Sequence, residues 1–205
     1  MDGRGHRAGL RRAVGGTREA LEPRRVRVGP EPIPPAEEMT KPRGEAFSVR
    51  PATEADLPGV LSCLARAFEP FRAGYTPEAF LHTVLDERLG QERLATMRVL
   101  VAVGPDGRVL GTLSWFRPSP ASGHLRGMAV LPEFQGTGVA QGLLDHAVAE
   151  IRTSGCRKVT LRTTDPLDRA VRFYARNGFR PSGAVADFYG VVVTERVRDL
   201  DVPGP

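Results

Sequence analysis

The stretch of residues 125–155 most constrains the fold, because an apolar run is followed there by a proline, a glycine-rich turn and a long helical pattern. Residues 125–131 have the length and apolar content of a buried strand, and Pro132 stops it. The glycines that follow are Gly136, Gly138 and Gly142. A helix is predicted over about residues 136–153. Its apolar face consists of Val139, Leu143, Leu144, Ala147, Val148 and Ile151. The stretch therefore predicts a strand, a turn and an amphipathic helix in direct succession.

The rest of the chain alternates strand and helix patterns. Strands are predicted at residues 47–50, 98–103, 108–116, 125–131, 159–163, 179–182 and 191–197. Helices are predicted to open at Thr53, at Thr76, near Gly136 and at Asp165. The second helix is expected to bury Phe80, Leu81, Val84 and Leu85. Hairpins combined with one strand–helix–strand unit indicate a mixed sheet, and therefore an α/β (α+β) fold class.

Residues 1–45 differ in composition from the rest of the chain. They hold 10 Lys/Arg, 7 Asp/Glu, 7 Gly and 6 Pro, and they contain no aromatic residue. Such a segment cannot bury enough apolar area to offset its chain entropy, so a disordered N-terminal extension is predicted. Residues 46–205 are expected to form a single domain.

Charge and apolar content argue against several classes of protein. Of the 29 Lys/Arg and 24 Asp/Glu, 19 and 17 lie outside residues 1–45, and this near balance gives little support for specific nucleic-acid binding. No window approaches the roughly 18 apolar residues that span a bilayer, so no membrane segment is expected. Cys63 and Cys156 are too few for a disulfide framework or a zinc site, which predicts reduced thiols and a cytoplasmic protein.

The glycine turn at residues 135–140 has the composition of a phosphate cradle. Glycine lets main-chain amides approach a ligand closely, and amides at a helix N-terminus bind phosphate with the help of the helix dipole. The turn is not a Walker loop, because Gly-Lys-Ser/Thr is missing. Gly142 comes one residue too late for the dinucleotide fingerprint. A purely structural role, in which the glycines only ease packing of the helix on the strand, stays open at this point.

Three motifs, in order, resemble the GCN5-related N-acetyltransferase (GNAT) superfamily. The first motif is the stretch Gln135-Gly-Thr-Gly138-Val-Ala140, which is similar to the family's acetyl-CoA signature. The second motif is the predicted helix Ala170-Val-Arg-Phe-Tyr174, which runs into Gly178-Phe179 and is similar to a second feature of the family. The third is the opening Val-Arg-Pro-Ala-Thr-Glu-Ala-Asp-Leu at residues 49–57. The resemblance covers about residues 47–200.

The resemblance implies a fold and a cosubstrate. The expected fold is a mixed, mostly antiparallel central sheet of about 6–7 strands flanked by about 4 helices, with a splayed central pair. The expected activity is direct transfer of an acetyl group from acetyl-CoA to a primary amine in a ternary complex, without a metal. Pantetheine would enter between a bulged strand 125–131 and strand 159–163, and would pair with the main chain of Met128, Ala129 and Val130. The pyrophosphate would lie on Gln135, Gly136, Thr137, Gly138, Val139 and Ala140.

The resemblance also suggests catalytic residues. Tyr174 would act as general acid toward the departing thiolate. His124 enters the central strand where relatives often carry an acidic residue, and it could relay a proton, although a surface histidine at a strand end is the alternative. Asp187 and Tyr189 are candidates for the acceptor site, whereas His82 is expected to be solvated.

One position departs from the family pattern, because Leu167 stands where many relatives carry an asparagine that bonds the pantetheine arm. Gln135 stays within the pattern, which takes glutamine or arginine at this position, but it lacks the positive charge that arginine would bring near the phosphates. Leu167 and the lack of an assured base leave a non-catalytic acyl-CoA sensor of the same fold as the alternative function. Residues 66–98 and 182–192, which would choose the acceptor, contain no readable motif, and a homodimer is a further expectation.

Overall fold

The structure, a computed structural model, describes residues 46–164 and 167–200. The predicted disordered extension and the predicted helix start at Asp165 therefore lie outside the described residues. Within these ranges one seven-stranded sheet has the order β1-β2-β3-β4-β5-β7-β6. Its strands are β1 (Ser48–Pro51), β2 (Arg98–Val103), β3 (Val109–Ser119), β4 (Ser122–Val130), β5 (Lys158–Thr163), β6 (Arg180–Phe188) and β7 (Val191–Asp199). β4 and β5 run parallel, and the other neighbouring strands run antiparallel.

Five α-helices flank this sheet in the described part of the chain. They are α1 (Leu57–Phe68), α2 (Pro77–Val84), α3 (Glu87–Thr96), α4 (Val139–Thr153) and α5 (Asp168–Arg176). α1 packs on β3 and β4 from one face of the sheet, and α4 packs on β1–β4 from the other. The mixed, mostly antiparallel fold expected from the sequence is confirmed. Among the described residues, no helix is both long enough and apolar enough to cross a membrane.

Two glycines let α4 approach the sheet closely. A Cβ built on Gly123 of β4 would lie 2.6 Å from Cγ2 of Ile151, and one built on Gly111 of β3 would lie 2.9 Å from Cγ1 of Val139. Contacts this short do not occur for real Cβ atoms, so both positions need glycine for this packing. The core between the layers includes the fully buried Leu64, Leu100, Leu113, Leu143, Leu144 and Ile151. Close packing thus fixes the start of α4 next to the end of β4.

Helix α3 was not among the predicted elements. Its buried residues are Leu89, Gly90 and Arg93, and a buried face that contains a glycine and an arginine shows little apolar periodicity. Leu85 separates α2 from α3 with a φ of 64°. Leu81, which the sequence predicts as buried, is 41% exposed.

Two predicted boundaries also differ from the structure. α4 starts at Val139 rather than near residue 136, because Gly136 and Gly138 have φ values of 86° and 97°, outside the helical region. β6 continues to Phe188 instead of ending at residue 182, and its register with β7 shifts between Pro181 and Val185.

Candidate active site

β4 and β5 separate halfway along their length. They pair from Ser122, opposite Lys158, to Leu125, opposite Leu161. β4 then continues to Val130 and β5 to Thr163 without further pairing between these described segments. The side of β4 that faces β5 is therefore open over residues 126–130. The expected splay of the two central strands is confirmed.

A bulge in β4 lies at the start of this opening. On β3, Thr112 pairs with Ala129 and Ser114 pairs with Arg126, so β4 carries one more residue than β3 over this interval. Gly127 lies inside it with a φ of 64°, a conformation that glycine adopts without strain. Residues 127 and 128 therefore leave the ladder with β3 as well.

The glycine turn presents free main-chain amides. The first hydrogen bond within α4 runs from Gly142 N to Gly138 O at 2.9 Å, so the preceding amides of residues 139–141 have no partner within the helix. A Cβ built on Gly136 or Gly138 would meet no atom within 4 Å. The space above the turn is open, and its donors lie at the positive end of the helix dipole, so the turn fits a diphosphate.

Gln135 links the turn to β4 and to α5. Its Nε2 donates to Val130 O at 3.3 Å, and its Oε1 accepts from Arg169 Nη1 at 3.0 Å. Arg169 thus brings a positive charge to the place where the sequence indicates one is missing. Sequence reasoning missed Arg169, because its partner lies on a different element.

The side chains of two residues of the turn are not available to a ligand. Thr137 Oγ1 donates to Phe134 O at 2.7 Å. The side chain of Val139 is 1% exposed and belongs to the core.

Tyr174 lies buried beside the opening. Its hydroxyl donates to Met128 Sδ at 3.1 Å, and its ring packs edge-on against Phe173 and Phe179. Burial raises the pKa of the Tyr174 phenol well above its usual range, so the phenol stays protonated at neutral pH. Gly178 ends α5, and Phe179 N donates back to Tyr174 O at 3.0 Å, which fixes the end of the helix that carries the tyrosine.

His124 lies in the paired half of β4. Its Nδ1 is 2.8 Å from Thr160 Oγ1, and its ring packs against Phe116. Burial, with the nearby Arg162 and Arg126, lowers the pKa of His124 to about 4, against an opposing effect of Glu195. The imidazole is therefore neutral at physiological pH.

A single cleft of about 950 Å³ connects these features. It runs from the glycine turn and α5, past the opening in the sheet, to α1–α3 and the β6–β7 turn. The sequence-predicted site residues that line it are Met128, Ala129, Val130, Gln135, Gly136, Gly138, Ala140, His124 and Tyr174. Thr137 and Val139 are not part of its wall. The cleft lies at the upper end of the roughly 300–1,000 Å³ typical of small-molecule sites.

The far wall of the cleft differs from the prediction. Asp187 accepts from Gly190 N at 3.1 Å and closes its own turn, while Tyr189 stacks on His82 with ring centroids 4.2 Å apart. Phe188, between them in sequence, lines the cleft, as does His82. His82 is therefore half-buried rather than solvated.

Comparisons with known proteins agree with this geometry. Residues 64–179 match the model of the Acetyltransferase (GNAT) family. An uncharacterized N-acetyltransferase of Mycobacterium tuberculosis is 31% identical over 86 residues, which cover 42% of this chain and 55% of the relative. The mycothiol acetyltransferase of Beutenbergia cavernae is 30% identical over 154 residues, which cover 73% of this chain and 50% of the relative. The chain thus spans about half the length of the curated relatives it matches.

Solved structures share the fold. The PaiA N-acetyltransferase of Thermoplasma acidophilum, solved in complex with coenzyme A, matches with a TM-score of 0.62 at 17% identity. The match covers 76% of this chain and 99% of that one. At this identity the likeness concerns the architecture alone.

Proposed function

Because the chain belongs to the GNAT acetyltransferase family, we propose that it transfers an acetyl group from acetyl-CoA to a primary amine. The observation that carries the proposal is the opening between β4 and β5, which leads onto the free amides of the glycine turn. Pantetheine amides need an unpaired strand edge, and a diphosphate needs clustered N–H donors. The described residues supply both along one cleft.

The residues that would hold acetyl-CoA follow the cleft in order. The main chain of residues 128–130 would pair with the pantetheine arm. The amides of Gly136 and of residues 138–141 would bind the diphosphate, with Arg169 adding a positive charge, whereas the Thr137 amide already donates to Phe134 O. Leu167 lines the cleft and offers no side-chain hydrogen bond, so main-chain groups would hold most of the arm.

The chain's own groups would then act on the reacting atoms. Acetyl-CoA would supply the acetyl group as a thioester. The N–H groups of residues 127 and 128, released from the β3 ladder by the bulge, would stabilise negative charge on the thioester oxygen. Tyr174, kept protonated by burial, would act as general acid and donate to the departing sulfur.

His124 is poorly matched to the role of base. An alkylammonium has a pKa near 10, so proton transfer to a ring of pKa about 4 is uphill by roughly 8 kcal/mol. The ring also bonds to Thr160 within the paired part of the sheet. His124 is therefore better described as a half-buried residue of the cleft wall than as the proton relay or the surface histidine considered from the sequence, and the acceptor would react in its neutral form.

The function is tested by titrating the protein with CoA in a calorimeter and then assaying thiol release from acetyl-CoA with a panel of primary amines. We expect saturable CoA binding and amine-dependent thiol release. Gly138→Glu should abolish CoA binding, because it places bulk and negative charge above the free amides.

Gly155→Glu is the matched control for this variant. Gly155 follows α4 at the end remote from the cleft, has a φ of 83°, and like Gly138 has open space where a Cβ would lie. Both variants therefore introduce the same backbone strain and charge. Equal CoA affinity in Gly138→Glu and Gly155→Glu would overturn the assigned diphosphate site.

A non-catalytic acyl-CoA sensor is the second candidate. Leu167 in the cleft wall and the low pKa of His124 favour it, because neither residue assists the reaction. Tight CoA binding without thiol release across the whole amine panel would select the sensor over the enzyme.

A further inference from the structure

The half of the cleft beyond the opening is positively charged. Arg93 of α3, Arg126 of β4 and Arg162 of β5 line it, and they are called the cleft arginines below. We propose that the acceptor is a primary amine that also bears an oxyanion, either a carboxylate or a phosphate, and that Arg93 and Arg126 bind this oxyanion. This substrate class rests on the acetyl transfer proposed for the same site.

The guanidinium of Arg93 has hydrogen-bond donors without a partner among the described residues. Arg93 is 6% exposed, and its Nη1 is buried without a hydrogen-bond partner among the described residues. Its Nη2 makes one long bond, to His82 O at 3.4 Å. Burial and the nearby Arg126 lower the pKa of the guanidinium to about 10, so it remains charged at neutral pH. Because a buried, unpaired cation is unfavourable in a purely structural role, its position in the cleft wall points to an anionic ligand.

The bulge in β4 makes room for this guanidinium. A Cβ built on Gly127 would overlap Arg93 Nη1, so the arginine lies directly against the strand where the ladder with β3 is interrupted. The same bulge is the proposed site of thioester polarisation. One small molecule could therefore place its oxyanion on Arg93 and its amine at the opening between β4 and β5.

Several arginines elsewhere in the described chain are paired with acids. Arg66 and Arg108 both bind Glu133, and Arg98 binds Glu150. Within residues 46–164 and 167–200, none of the cleft arginines forms an ion pair. The positive charge of the cleft is therefore not offset by ion pairs within the described residues, and it is available to a ligand.

Acidic residues near the cleft do not supply the missing partner. Asp168 is the one acid among the described lining residues, and it lies at the glycine-turn end. Glu195 is opposite Arg162 in the β5–β7 ladder, but it does not line the cleft, and among the described residues it forms no ion pair with Arg162. Arg126 contacts an aromatic ring rather than an acid, since its guanidinium carbon lies 5.5 Å from the centroid of the Phe188 ring.

The charge of the cleft also bears on the amine. The cleft arginines repel a simple ammonium, and an oxyanion on the same molecule offsets that repulsion. Nearby cations disfavour the charged form of the bound amine and so lower its pKa. The cluster thereby helps to supply the neutral amine that His124 is poorly suited to generate.

Calorimetric binding of matched ligand pairs to the CoA-saturated protein tests the substrate class. The phosphate pair is phosphoethanolamine against ethanolamine, and the carboxylate pair is γ-aminobutyrate against butylamine. In at least one pair, the ligand that bears the oxyanion should bind about 10-fold or more tightly than the ligand that lacks it. The pair with the larger ratio of Kd values shows whether the oxyanion is a phosphate or a carboxylate. Arg93→Met should reduce that preference to about twofold, since its side chain has similar length but no charge.

Arg88→Met is the control on the same helix, because the Arg88 side chain is 72% exposed and does not line the cleft. It should keep the full preference. Arg126→Met provides a second test if circular dichroism shows that Arg93→Met does not fold. Equal binding within both pairs, no binding of either anionic member at millimolar concentration, or a full preference in both cleft variants would overturn the inference.

Failure of the acetyl transfer would be recognised separately. If CoA does not bind, the proposed function fails, and the same ligand pairs titrated into the protein without CoA still measure the anion preference. If CoA binds and the pairs are not discriminated, the substrate class alone is wrong.

Discussion

Burial and neighbouring charge set the protonation of individual residues in the cleft. Tyr174 is almost fully buried, which raises the pKa of its phenol, while burial and two nearby arginines lower the pKa of His124 and keep its imidazole neutral. The two side chains therefore differ in what they can do at neutral pH. Tyr174 can donate a proton or hydrogen bond, and His124 can accept a hydrogen bond but holds an added proton weakly.

Removing the Tyr174 hydroxyl should slow turnover. Tyr174→Phe keeps the edge-on packing against Phe173 and Phe179 but loses the donor beside Met128. We expect kcat to fall about 100-fold, the low end of the range for general-acid catalysis. CoA affinity, measured by calorimetry, should change less than about twofold, because the hydroxyl is remote from the diphosphate turn. An unchanged kcat would remove Tyr174 from the mechanism.

His124 should make the stability of the protein depend on pH. Its folded pKa of about 4 lies below the usual 6.5, so the unfolded chain binds a proton that the folded chain does not. This contribution is fully present above pH 6.5 and is lost as the pH falls toward 4. Between pH 7 and pH 4.5 the wild type should lose about 2–3 kcal/mol through this group, and His124→Gln should not. Denaturant unfolding at the two pH values measures the difference, and parallel losses in both proteins would contradict it.

At the scale of elements, the sequence predicts local features and misses long-range ones. The strand, turn and helix of residues 125–155 are readable because strand pattern, proline, glycines and helical period are adjacent in the chain. α3 is not readable, since its buried face carries Arg93, and the reason for that arginine is a cleft formed by distant strands. The role of Arg169 is not readable from the sequence for the same reason, because Arg169 contacts Gln135 only in the folded protein. The residues proposed to bind the cosubstrate are therefore mostly close together in sequence, whereas those proposed to bind the acceptor come together only in the folded protein.

The bulge in β4 should depend on glycine at position 127. Gly127→Ala places a side chain at a φ of 64° and against Arg93, so we expect a loss of about 2 kcal/mol or more in the free energy of unfolding. Gly155→Ala is the matched control, because its φ is 83° but nothing lies within 4 Å of the added carbon. It should lose about 1 kcal/mol.

The Arg93→Met background separates the two causes. If contact with the guanidinium accounts for the extra loss, Gly127→Ala should cost less in that background. Equal costs for Gly127→Ala and Gly155→Ala in the wild type would show that the bulge tolerates a side chain.

At the scale of the whole molecule, the splay divides the described sheet into two parts. β1–β4 lie on one side and β5–β7 on the other, and four residue pairs between β4 and β5 join them. Side-chain contacts add to this junction, among them Gln141 to Asn177 at 2.9 Å and Tyr174 to Met128. The cleft lies across this junction, so a molecule bound along it touches both parts of the sheet. Ligand binding should therefore stabilise the molecule where its own hydrogen bonding is sparse.

CoA binding should protect both sides of the splay from hydrogen exchange. At a CoA concentration of 100 times its Kd, the free energy of unfolding should rise by about 2.7 kcal/mol, because the ligand binds the folded state alone. Exchange measured by mass spectrometry should slow in residues 126–130 and 136–141 on one side, and in residues 158–163 and α5 on the other. Gly138→Glu should remove this protection, while Gly155→Glu should retain it. Slowing limited to residues 136–141 would mean that the ligand touches the glycine turn without entering between β4 and β5, and the assigned path of the pantetheine arm would then be wrong.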